Sequence, residues 1–398
     1  MTDPIADVAD YRRAARRRIP RFLFDYIDGG SYAEHTLRRN VADLAAVPLD
    51  QRVMRDVARI DPTTYLFGQP LAMPLMLAPV GLAGLAARRG EVQAARAAAA
   101  AGVPFCLSTV SACSIEEVAA SGAGFWFQLY TLRDRGVMAS LIDRAAAARC
   151  PVLVYTVDLP RPGTRYRDVR SGLTGSAGWR GDLRRLGQAL ARPGWAWDVG
   201  VHGRPLTLGN LRGIIGAKAP LGDFLGWLAR NFDPAATWDD LAWVRARWTG
   251  TLVVKGVLHP DDAAAAVDAG ADGIVVSNHG GRQLDGAVSA VAALPPIVDR
   301  IGGRTTILAD GGVRSGLDIL RLLSLGADGA MIGRPWAWAL GARGETGVMR
   351  LLDLLKTELE TAMALTGRTK LNHRHSLSAA RLGILDRSPA RNVASPEL

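Results

Sequence analysis

The chain has 398 residues, of which 48% are hydrophobic, enough to bury the core of one large α/β domain or two smaller ones. Its formal charge of +10 suits an anionic ligand, an acidic surface or nucleic acid. Cys106, Cys113 and Cys150 have the spacing of neither a disulfide framework nor a metal site, so no metal is predicted. The N-terminus lacks a secretory signal and the Ala-rich stretch 94–102 is too short to cross a bilayer, which predicts a cytoplasmic protein.

Short apolar runs recur along the chain, and a helix-like segment follows most of them. Eight runs are predicted as strands, which in chain order are Leu75–Ala78, Val103–Ser108, Phe125–Leu129, Val152–Val157, Leu252–Lys255, Ile274–Ser277, Thr306–Ala309 and Ala330–Gly333. Amphipathic stretches such as Pro260–Ala269 and Ser315–Leu325 are predicted as helices, with Asp261 and Ser315 as N-caps. This alternation predicts one α/β domain over 1–398, a (β/α)8 TIM barrel.

The spacing of the runs also predicts what is added to the barrel. The interval between the fourth and fifth runs is far longer than the others, which places an inserted region at 171–232. A helical extension over 1–70 precedes the first strand, and a tail over 368–398 follows the last helix. The alternative is a doubly wound sheet, but that fold needs a Gly-x-Gly-x-x-Gly turn after an early strand, and the chain has none.

Polar residues lie where the predicted strands end. In such a barrel the C-terminal strand ends form the active site, although each residue alone is explained equally well as a strand-end cap or loop contact. Residues able to do chemistry nevertheless follow all eight strands: Pro79, Gly81, Ser108, Gln128, Tyr130, Thr156, Asp158, Lys255, His279, Arg282, Asp310, Gly333 and Arg334. Cys106 and Cys150, which lie at or beside apolar runs, are predicted as small core residues.

The decapeptide Ser277–Gly286 is the most informative segment. It places His279, a proton acceptor, three residues before Arg282, an anion-binding group, on a Gly-rich turn whose backbone can approach a flat ligand. Asp158 ends the fourth strand, and if it meets His279 the carboxylate orients the imidazole and raises its basicity. The alternative for these two residues is a structural Asp–His pair without a catalytic role.

The loops after the last two strands favour a phosphate group. Asp310-Gly311-Gly312-Val313-Arg314 and Gly333-Arg334 combine glycine N–H groups at helix starts with two arginines. Lys255 ends an apolar strand and would be a buried positive charge that needs a negative partner. A flavin that becomes anionic on reduction is one such partner.

These motifs resemble the FMN-dependent α-hydroxy-acid oxidases and dehydrogenases, and most of all the bacterial quinone-linked L-lactate dehydrogenases. The resemblance runs from about Tyr11 to Gly367. The stretches that carry it are Phe22–Gly30, Leu77–Leu82, Leu107–Ser111, Trp126–Tyr130, Thr156–Asp158, Pro162–Asp168 and the signature Ser277–Gly286.

The resemblance implies roles for the site residues. His279 would be the base with Asp158 as its partner, Arg282 and Arg165 would bind the substrate carboxylate, and Tyr26 and Tyr130 would contact the substrate. The residues implied to hold FMN are Pro79, Val80, Gly81, Ser108, Gln128, Thr156, Lys255, Ser277, Asp310, Gly311, Gly312, Arg314, Gly333 and Arg334. Removal of the hydroxyl proton by His279 with hydride transfer to flavin N5 is the favoured mechanism, and a carbanion route is the alternative.

Two features bear on the electron acceptor. Members of this family that use oxygen readily tend to have Ala where this chain has Gly81, which favours a dehydrogenase. The inserted region, with eight Lys or Arg against three Asp between 171 and 230 and tryptophans at 179, 195, 197 and 227, suits an anionic membrane surface. Packing of these tryptophans on the barrel or on a neighbouring subunit is the alternative. The resemblance implies a quinone acceptor, a peripheral location on the inner face of the cell membrane and a homotetramer.

The sequence is compatible with more than one substrate and with two alternatives to a dehydrogenase. L-lactate is favoured by overall similarity, while Val110, where some relatives have a bulky aromatic residue, leaves room for mandelate or another aryl acid. An oxygen-using oxidase is an alternative enzyme, and a barrel that merely binds a phosphorylated ligand is the alternative without catalysis. Nucleic-acid binding is disfavoured because no finger, recognition helix or aromatic platform is found.

Overall fold

The computed structural model describes residues 4–174, 179–216 and 221–371, and the side chains of 179, 180 and 221–225 are not among the described parts. The strands are β1 Thr64–Leu66, β2 Gln69–Leu71, β3 Leu75–Leu77, β4 Cys106–Ser108, β5 Trp126–Tyr130, β6 Val152–Thr156, β7 Thr251–Val257, β8 Gly273–Val276, β9 Thr306–Ala309 and β10 Gly329–Ile332. The eight strands β3 to β10 correspond to the eight predicted apolar runs.

The helices surround the strands. They are α1 Val8–Arg18, α2 Arg21–Asp28, α3 His35–Ala45, α4 Gly90–Ala100, α5 Ile115–Ala119, α6 Arg135–Ala147, α7 Tyr166–Ser171, α8 Trp179–Leu190, α9 Pro193–Trp195, α10 Arg212–Ile215, α11 Leu221–Asn231, α12 Trp238–Arg247, α13 Pro260–Asp268, α14 Ala290–Ile301, α15 Gly316–Ser324 and α16 Arg334–Leu365. Short 3₁₀ turns occupy Ala83–Leu85 and Gly209–Leu211, and a π-helical stretch occupies Ala196–Val201. Helix α16 is interrupted by non-helical backbone at Arg343 and Gly344.

The barrel closes through parallel pairing. The strand order is β3-β10-β9-β8-β7-β6-β5-β4, and a parallel bridge between Leu77 and Phe105 joins the two ends of that order. The predicted TIM barrel is therefore confirmed, with the inserted region between β6 and β7. Every residue of the central strands β5, β6 and β8 is buried, as expected for parallel strands covered by side chains inside the barrel and by helices outside.

The N-terminal end of the barrel is filled and covered by apolar side chains. Met76, Trp126, Val253 and Leu308 belong to one buried cluster inside the barrel, and the β1–β2 hairpin adds Leu66 and Leu71 to it. Phe67, at the turn of the hairpin, packs edge-on against Trp126 with ring centroids 5.7 Å apart. We call this cluster with its hairpin the barrel floor. The hairpin lies at the end of the extension that was predicted as helical over 1–70, after the three helices α1 to α3.

The predicted helix starts are right in one case and wrong in the other. Ser315 caps α15 with a capping box, accepting a hydrogen bond from Asp318 N while the Asp318 side chain returns to the cap. Asp261 does not cap α13. His259 does, accepting from Asp261 N at 3.2 Å, because Pro260 already occupies the first helical position, where its fixed φ suits the helix and its missing N–H costs nothing.

The inserted region and the tail are described in part. Between Ser171 and Phe232 the chain forms helices α8 to α11, and the isolated bridge Leu132–Phe232 returns it to the barrel. The tail predicted at 368–398 lies outside the described residues beyond Leu371. Cys106 and Cys150 are buried, as predicted for core residues, and so is Cys113. Among the described residues, no helix combines the length and the apolarity needed to cross a membrane.

Candidate active site

A pocket opens at the C-terminal ends of the barrel strands, and the predicted site residues meet there. Those that line it are Tyr26, Pro79, Val80, Gly81, Gln128, Tyr130, Thr156, Arg165, Lys255, His279, Arg282, Asp310, Gly311, Gly312, Arg314, Gly333 and Arg334. Asp158, Ser108 and Ser277 lie one contact behind the lining, hydrogen-bonded to His279, Gln128 and Lys255 respectively. The structure thus brings His279, Asp158 and Arg282 together at one end of the barrel.

Asp158 and His279 form a hydrogen-bonded pair. The Asp158 Oδ1 to His279 Nδ1 distance is 2.8 Å, which places the proton on Nδ1 and leaves Nε2 as the ring nitrogen able to accept one. His279 has a left-handed backbone with φ of +57°, and its N–H donates to Ser277 Oγ at 3.0 Å. Gln283 Nε2 donates to the backbone oxygen of Asp158 at 3.0 Å. The ring is therefore oriented by contacts on two strand ends.

The Asp158 carboxylate raises the pKa of His279, as expected, but burial has the larger and opposite effect. Burial lowers the pKa of His279 below its usual value, and the Asp158 carboxylate offsets this loss without reversing it. For Asp158, burial alone would raise the pKa, but the His279 charge, the hydrogen bond and Lys255 together bring it below the usual value. The carboxylate thus remains ionised beside an imidazole that is neutral at neutral pH, which is the state a base requires.

Lys255 is paired inside the protein. Its Nζ lies 3.2 Å from Asp310 Oδ2 and donates to Ser277 Oγ at 2.9 Å. Burial acts to lower the pKa of Lys255, but Asp310 and Asp158 raise it above the usual value, so the ammonium stays charged. Asp310 is therefore one of the negative partners that a buried Lys255 was predicted to need.

Arg165 and Arg282 bring positive charge to one side of the pocket. Arg282 Nη1 donates to the backbone oxygens of Tyr26 and Gly29, and its guanidinium lies over the Tyr26 ring at 4.8 Å. Burial and the nearby Arg165 charge lower the pKa of Arg282. Arg165 Nε is buried without a hydrogen-bond partner, and Arg165 Nη1 is 3.6 Å from an Asp168 oxygen. Such a pair is suited to bind a small carboxylate.

Arg314 and Arg334 form the second cationic part of the pocket. Arg334 donates to the backbone oxygens of Asp28 and Gly29, and Arg314 lies over the Trp338 ring at 5.1 Å. Burial lowers the pKa of Arg314 to about 10 and holds that of Arg334 well below its usual value. Within the described ranges neither guanidinium forms an ion pair, so an anionic group bound here would supply the missing charge.

Unpaired buried atoms show that the site fits a flavin. Gln128 Nε2, Thr156 Oγ1 and Asp310 Oδ1 are buried without a hydrogen-bond partner. Buried polar atoms are normally paired, and these three belong to residues lining one pocket, as a heteroaromatic ring with donors and acceptors at its edge requires. Gly311 and Gly312, with φ of +89° and +99°, open the loop beside the arginines. The residues present therefore suit both the ring and the phosphate of FMN.

Gly81 lies close to Val110 and to the Tyr26 hydroxyl. A Cβ at position 81 would lie 2.6 Å from Val110 Cγ2 and 2.7 Å from the Tyr26 hydroxyl, closer than real Cβ contacts. Tyr130 stacks with His279 at 6.5 Å and meets Phe232 edge-on at 5.3 Å. Burial raises the pKa of Tyr130, so its hydroxyl stays protonated.

Several residues that position these loops were missed by the sequence reasoning. Glu91 is buried and accepts hydrogen bonds from the backbone amides of Gly84, Ala112 and Cys113, which joins the loops after β3 and β4. Asn210, in the inserted region, accepts from Ile115 N and donates to the backbone oxygens of Ser108 and Thr109. No local sequence pattern marks either residue, because both act on chain segments distant in sequence.

The inserted region has one exposed apolar face. On α8, Leu183, Leu186 and Leu190 are 59%, 53% and 65% exposed, and Trp197 farther along is 66% exposed. Trp195 departs from the predicted interfacial set. It is buried, with Nε1 donating to Leu85 O at 2.7 Å and its ring edge-on to Phe22. Trp227 is half-buried, and the side chain of Trp179 lies outside the described parts.

The chain is similar to known proteins over most of its length. The model of a family described as FMN-dependent dehydrogenase matches residues 15–379. An L-lactate dehydrogenase of Caulobacter vibrioides is 61% identical over 364 residues, 91% of this chain and 94% of that protein. One of Xanthomonas euvesicatoria is 55% identical over 391 residues, 98% of this chain and 99% of that protein.

Solved structures show the same architecture. A mandelate oxidase with bound (S)-4-hydroxymandelic acid has a TM-score of 0.80 and 40% identity, covering 92% of this chain and 96% of its own. A monotopic membrane protein, (S)-mandelate dehydrogenase, has a TM-score of 0.85 and 33% identity, covering 93% of this chain and 97% of its own.

Proposed function

The chain belongs to the FMN-dependent dehydrogenase family. From that membership we propose that it oxidises an L-2-hydroxy acid to the 2-oxo acid, with L-lactate as the preferred substrate. The observation that carries this proposal is the Asp158–His279 hydrogen bond beside the buried, unpaired Nε of Arg165. A site that merely binds a phosphorylated ligand has no use for an oriented base next to a carboxylate site. FMN, when bound, supplies the two-electron oxidant.

The proposed roles follow from the contacts. Arg165 and Arg282 bind the substrate carboxylate, which orients the α-carbon and its hydroxyl in the pocket. His279 accepts the hydroxyl proton on Nε2, because Nδ1 is occupied by Asp158. The ionised Asp158 then stabilises the imidazolium that forms. Tyr26 and Tyr130, whose rings lie near Arg282 and His279, supply hydroxyl groups to the same substrate.

The test is anaerobic mixing of the holoenzyme with both enantiomers of lactate and of mandelate and with achiral glycolate, followed by absorbance of the flavin. We expect bleaching with L-lactate, and D-lactate serves as the matched control because only its configuration differs. Preference for (S)-mandelate would assign the pocket to an aryl acid, as the names of the mandelate oxidase and (S)-mandelate dehydrogenase neighbours suggest. A flavin that no 2-hydroxy acid bleaches would leave only the ligand-binding alternative.

The proposed electron acceptor is a quinone rather than oxygen. Gly81 supports this preference through the family tendency noted above, and Val110 and the Tyr26 hydroxyl fill the space a methyl group would need. Reduced enzyme should be re-oxidised faster by a water-soluble quinone than by air-saturated buffer. Faster re-oxidation by air would assign the protein to the oxygen-using oxidases.

We also propose that the enzyme is peripheral on the inner face of the cell membrane and forms a homotetramer. The apolar stripe of Leu183, Leu186 and Leu190 on α8, with Trp197 nearby, supports membrane contact, and the (S)-mandelate dehydrogenase neighbour is described as monotopic. Light scattering of the purified holoenzyme tests the subunit number.

Point substitutions test the membrane contact better than deletion of the inserted region, because Trp195 and Asn210 are built into the barrel. The triple variant Leu183→Gln, Leu186→Gln, Leu190→Gln should lose co-flotation with anionic vesicles while reduction of a soluble dye is kept. Leu284→Gln, at a position that is 70% exposed and lies outside the inserted region, is the control. Unchanged flotation of the triple variant would remove α8 from the contact.

A further inference from the structure

Strand β7 contains an extra residue at Gly256. Its pairing with β6 is continuous through Lys255, but on the other side Lys255 lies opposite Val275 and Val257 opposite Val276, so Gly256 has no partner on β8. Its φ is +107°, a backbone conformation that residues with side chains rarely adopt. Such a bulge changes the direction in which the following side chains point and is common next to active sites.

In a regular strand the side chains of Lys255 and Val257, two residues apart, would point to the same side. The bulge makes them point to opposite sides. Lys255 faces the pocket, where it meets Asp310 and Ser277, whereas Val257 joins the buried cluster between the strands and the helices. The bonds Val157 N to Lys255 O and Ser277 N to Val257 O, at 3.0 and 3.2 Å, hold β7 on both sides of Gly256. The strand is therefore anchored just before and just after the extra residue.

The space that a side chain at 256 would need is occupied by Asp158. A Cβ built on Gly256 would lie 2.5 Å from Asp158 Cβ, 2.6 Å from Asp158 Cγ and 2.8 Å from Asp158 Oδ2. Real Cβ atoms essentially never approach a neighbour below 3.0 Å. The neighbour is also a short, buried carboxylate held at Oδ1 by His279, so it has little freedom to move away.

We propose that Gly256 is a positioning residue, whose bulge forms the seat that holds the Asp158 carboxylate against His279. This inference rests on the proposed function, since it assigns Gly256 to the pair that acts as the base. It predicts that a methyl group at 256 displaces Asp158 and disorients His279, while Lys255 still faces the pocket.

The main experiment compares Gly256→Ala with Gly270→Ala. Gly270 has a similar φ of +95°, but a Cβ there would meet only the flexible Arg245 side chain at 3.4 Å. Gly256→Ala should retain FMN and reduce its flavin about 10²-fold more slowly, the cost of misplacing a catalytic group by about an ångström. Gly270→Ala should lose a similar share of stability to backbone strain and keep the rate.

Two further readouts separate positioning from a general structural defect. Gly256→Ala in an Asp158→Asn background should be no slower than Asp158→Asn alone, since residues acting through one another are not additive. The acid limb of the pH profile of Gly256→Ala should move to lower pH, because the carboxylate that raises the His279 pKa is displaced.

A stability measurement covers the case in which Gly256→Ala loses FMN or unfolds. Asp158→Gly removes all three atoms that the new methyl group would meet, so Gly256→Ala with Asp158→Gly should melt at a higher temperature than Gly256→Ala alone. No gain in melting temperature would overturn the proposal.

The remaining outcomes distinguish the inference from the function on which it rests. The outer side of Gly256 lines a cavity of about 270 Å³ between β6, β7 and α12, so the strand has room to yield instead of Asp158. If Asp158→Asn is slow but Gly256→Ala has the normal rate, the strand moves and Asp158 stays in place. That result would refute the role of Gly256. A normal rate in Asp158→Asn would instead refute the proposed base.

Discussion

The two ends of the barrel are made by the same eight strands but differ in chemistry. At the barrel floor, Met76, Trp126 and Leu308 fill the interior and the β1–β2 hairpin covers it. At the mouth, Gln128, Thr156 and Asp310 have buried polar atoms without partners, and Arg314 and Arg334 lack ion pairs in the described part of the chain. Unpaired buried polar groups cost free energy. The barrel floor thus stabilises the fold, whereas the polar and charged groups at the mouth need a bound ligand as their partner.

The strongest test of this division is His279→Gln at the mouth. Loss of the base should slow anaerobic flavin reduction by about 10²–10⁴-fold, the usual contribution of general base catalysis, while bound FMN and the melting temperature change little. Stopped-flow absorbance with L-lactate measures the rate. Flavin reduction at the wild-type rate would remove His279 from the mechanism.

Trp126→Ala makes the opposite change at the floor. Removing this buried ring, which packs against Phe67, should lower the free energy of unfolding by about 3–5 kcal/mol. The rate of flavin reduction per bound FMN should stay close to that of the wild type. Denaturant unfolding and stopped-flow absorbance are measured on the same preparation, and a large fall in the rate would show that the two ends are coupled.

Lys255→Met tests a residue that is expected to contribute both to the stability of the fold and to FMN binding. The substitution leaves the Asp310 carboxylate buried without its cation, which should lower the free energy of unfolding by about 3–5 kcal/mol and weaken FMN retention. Lys356→Met is the matched control, since Lys356 pairs with Glu360 at the surface and should contribute about 1 kcal/mol or less. Equal effects of the two substitutions would contradict the role given to Lys255.

The smallest expected effect is a shift in pH dependence. Burial lowers the pKa of His279, so flavin reduction should already be at its plateau at neutral pH and should fall as the pH drops through that pKa and the base becomes protonated. Asp158→Asn removes the charge that raises the His279 pKa and should move this limb to lower pH. A limb that moves to higher pH would mean that the carboxylate does not interact with His279 as its position indicates.

Sequence reasoning found the barrel and the residues at its mouth because these are local signals. An apolar run predicts each strand, and the residue after it, such as Lys255 or Asp158, must lie at the strand end. The Asp158–His279 contact, across 121 positions, also follows once the barrel is known, since parallel strands end on the same side.

The features that were missed depend on packing between distant segments. Asp261 was predicted as a cap from residue type alone, whereas Pro260 moves the helix start and His259 takes that role. The net pKa of His279 depends on burial, which a decapeptide does not report. Neither the seat at Gly256 nor the hydrogen bonds of Glu91 can be recognised without the neighbours that meet them.

The closed barrel floor imposes an order of assembly. With Trp126, Met76 and the hairpin filling the other end, a flavin that reached Lys255 and a hydroxy acid that reached Arg165 would, as far as the described residues go, enter through the same pocket mouth. The prosthetic group would consequently load first. An acid bound above it then delays its escape, so oxalate or another unreactive diacid should slow the loss of flavin during dialysis.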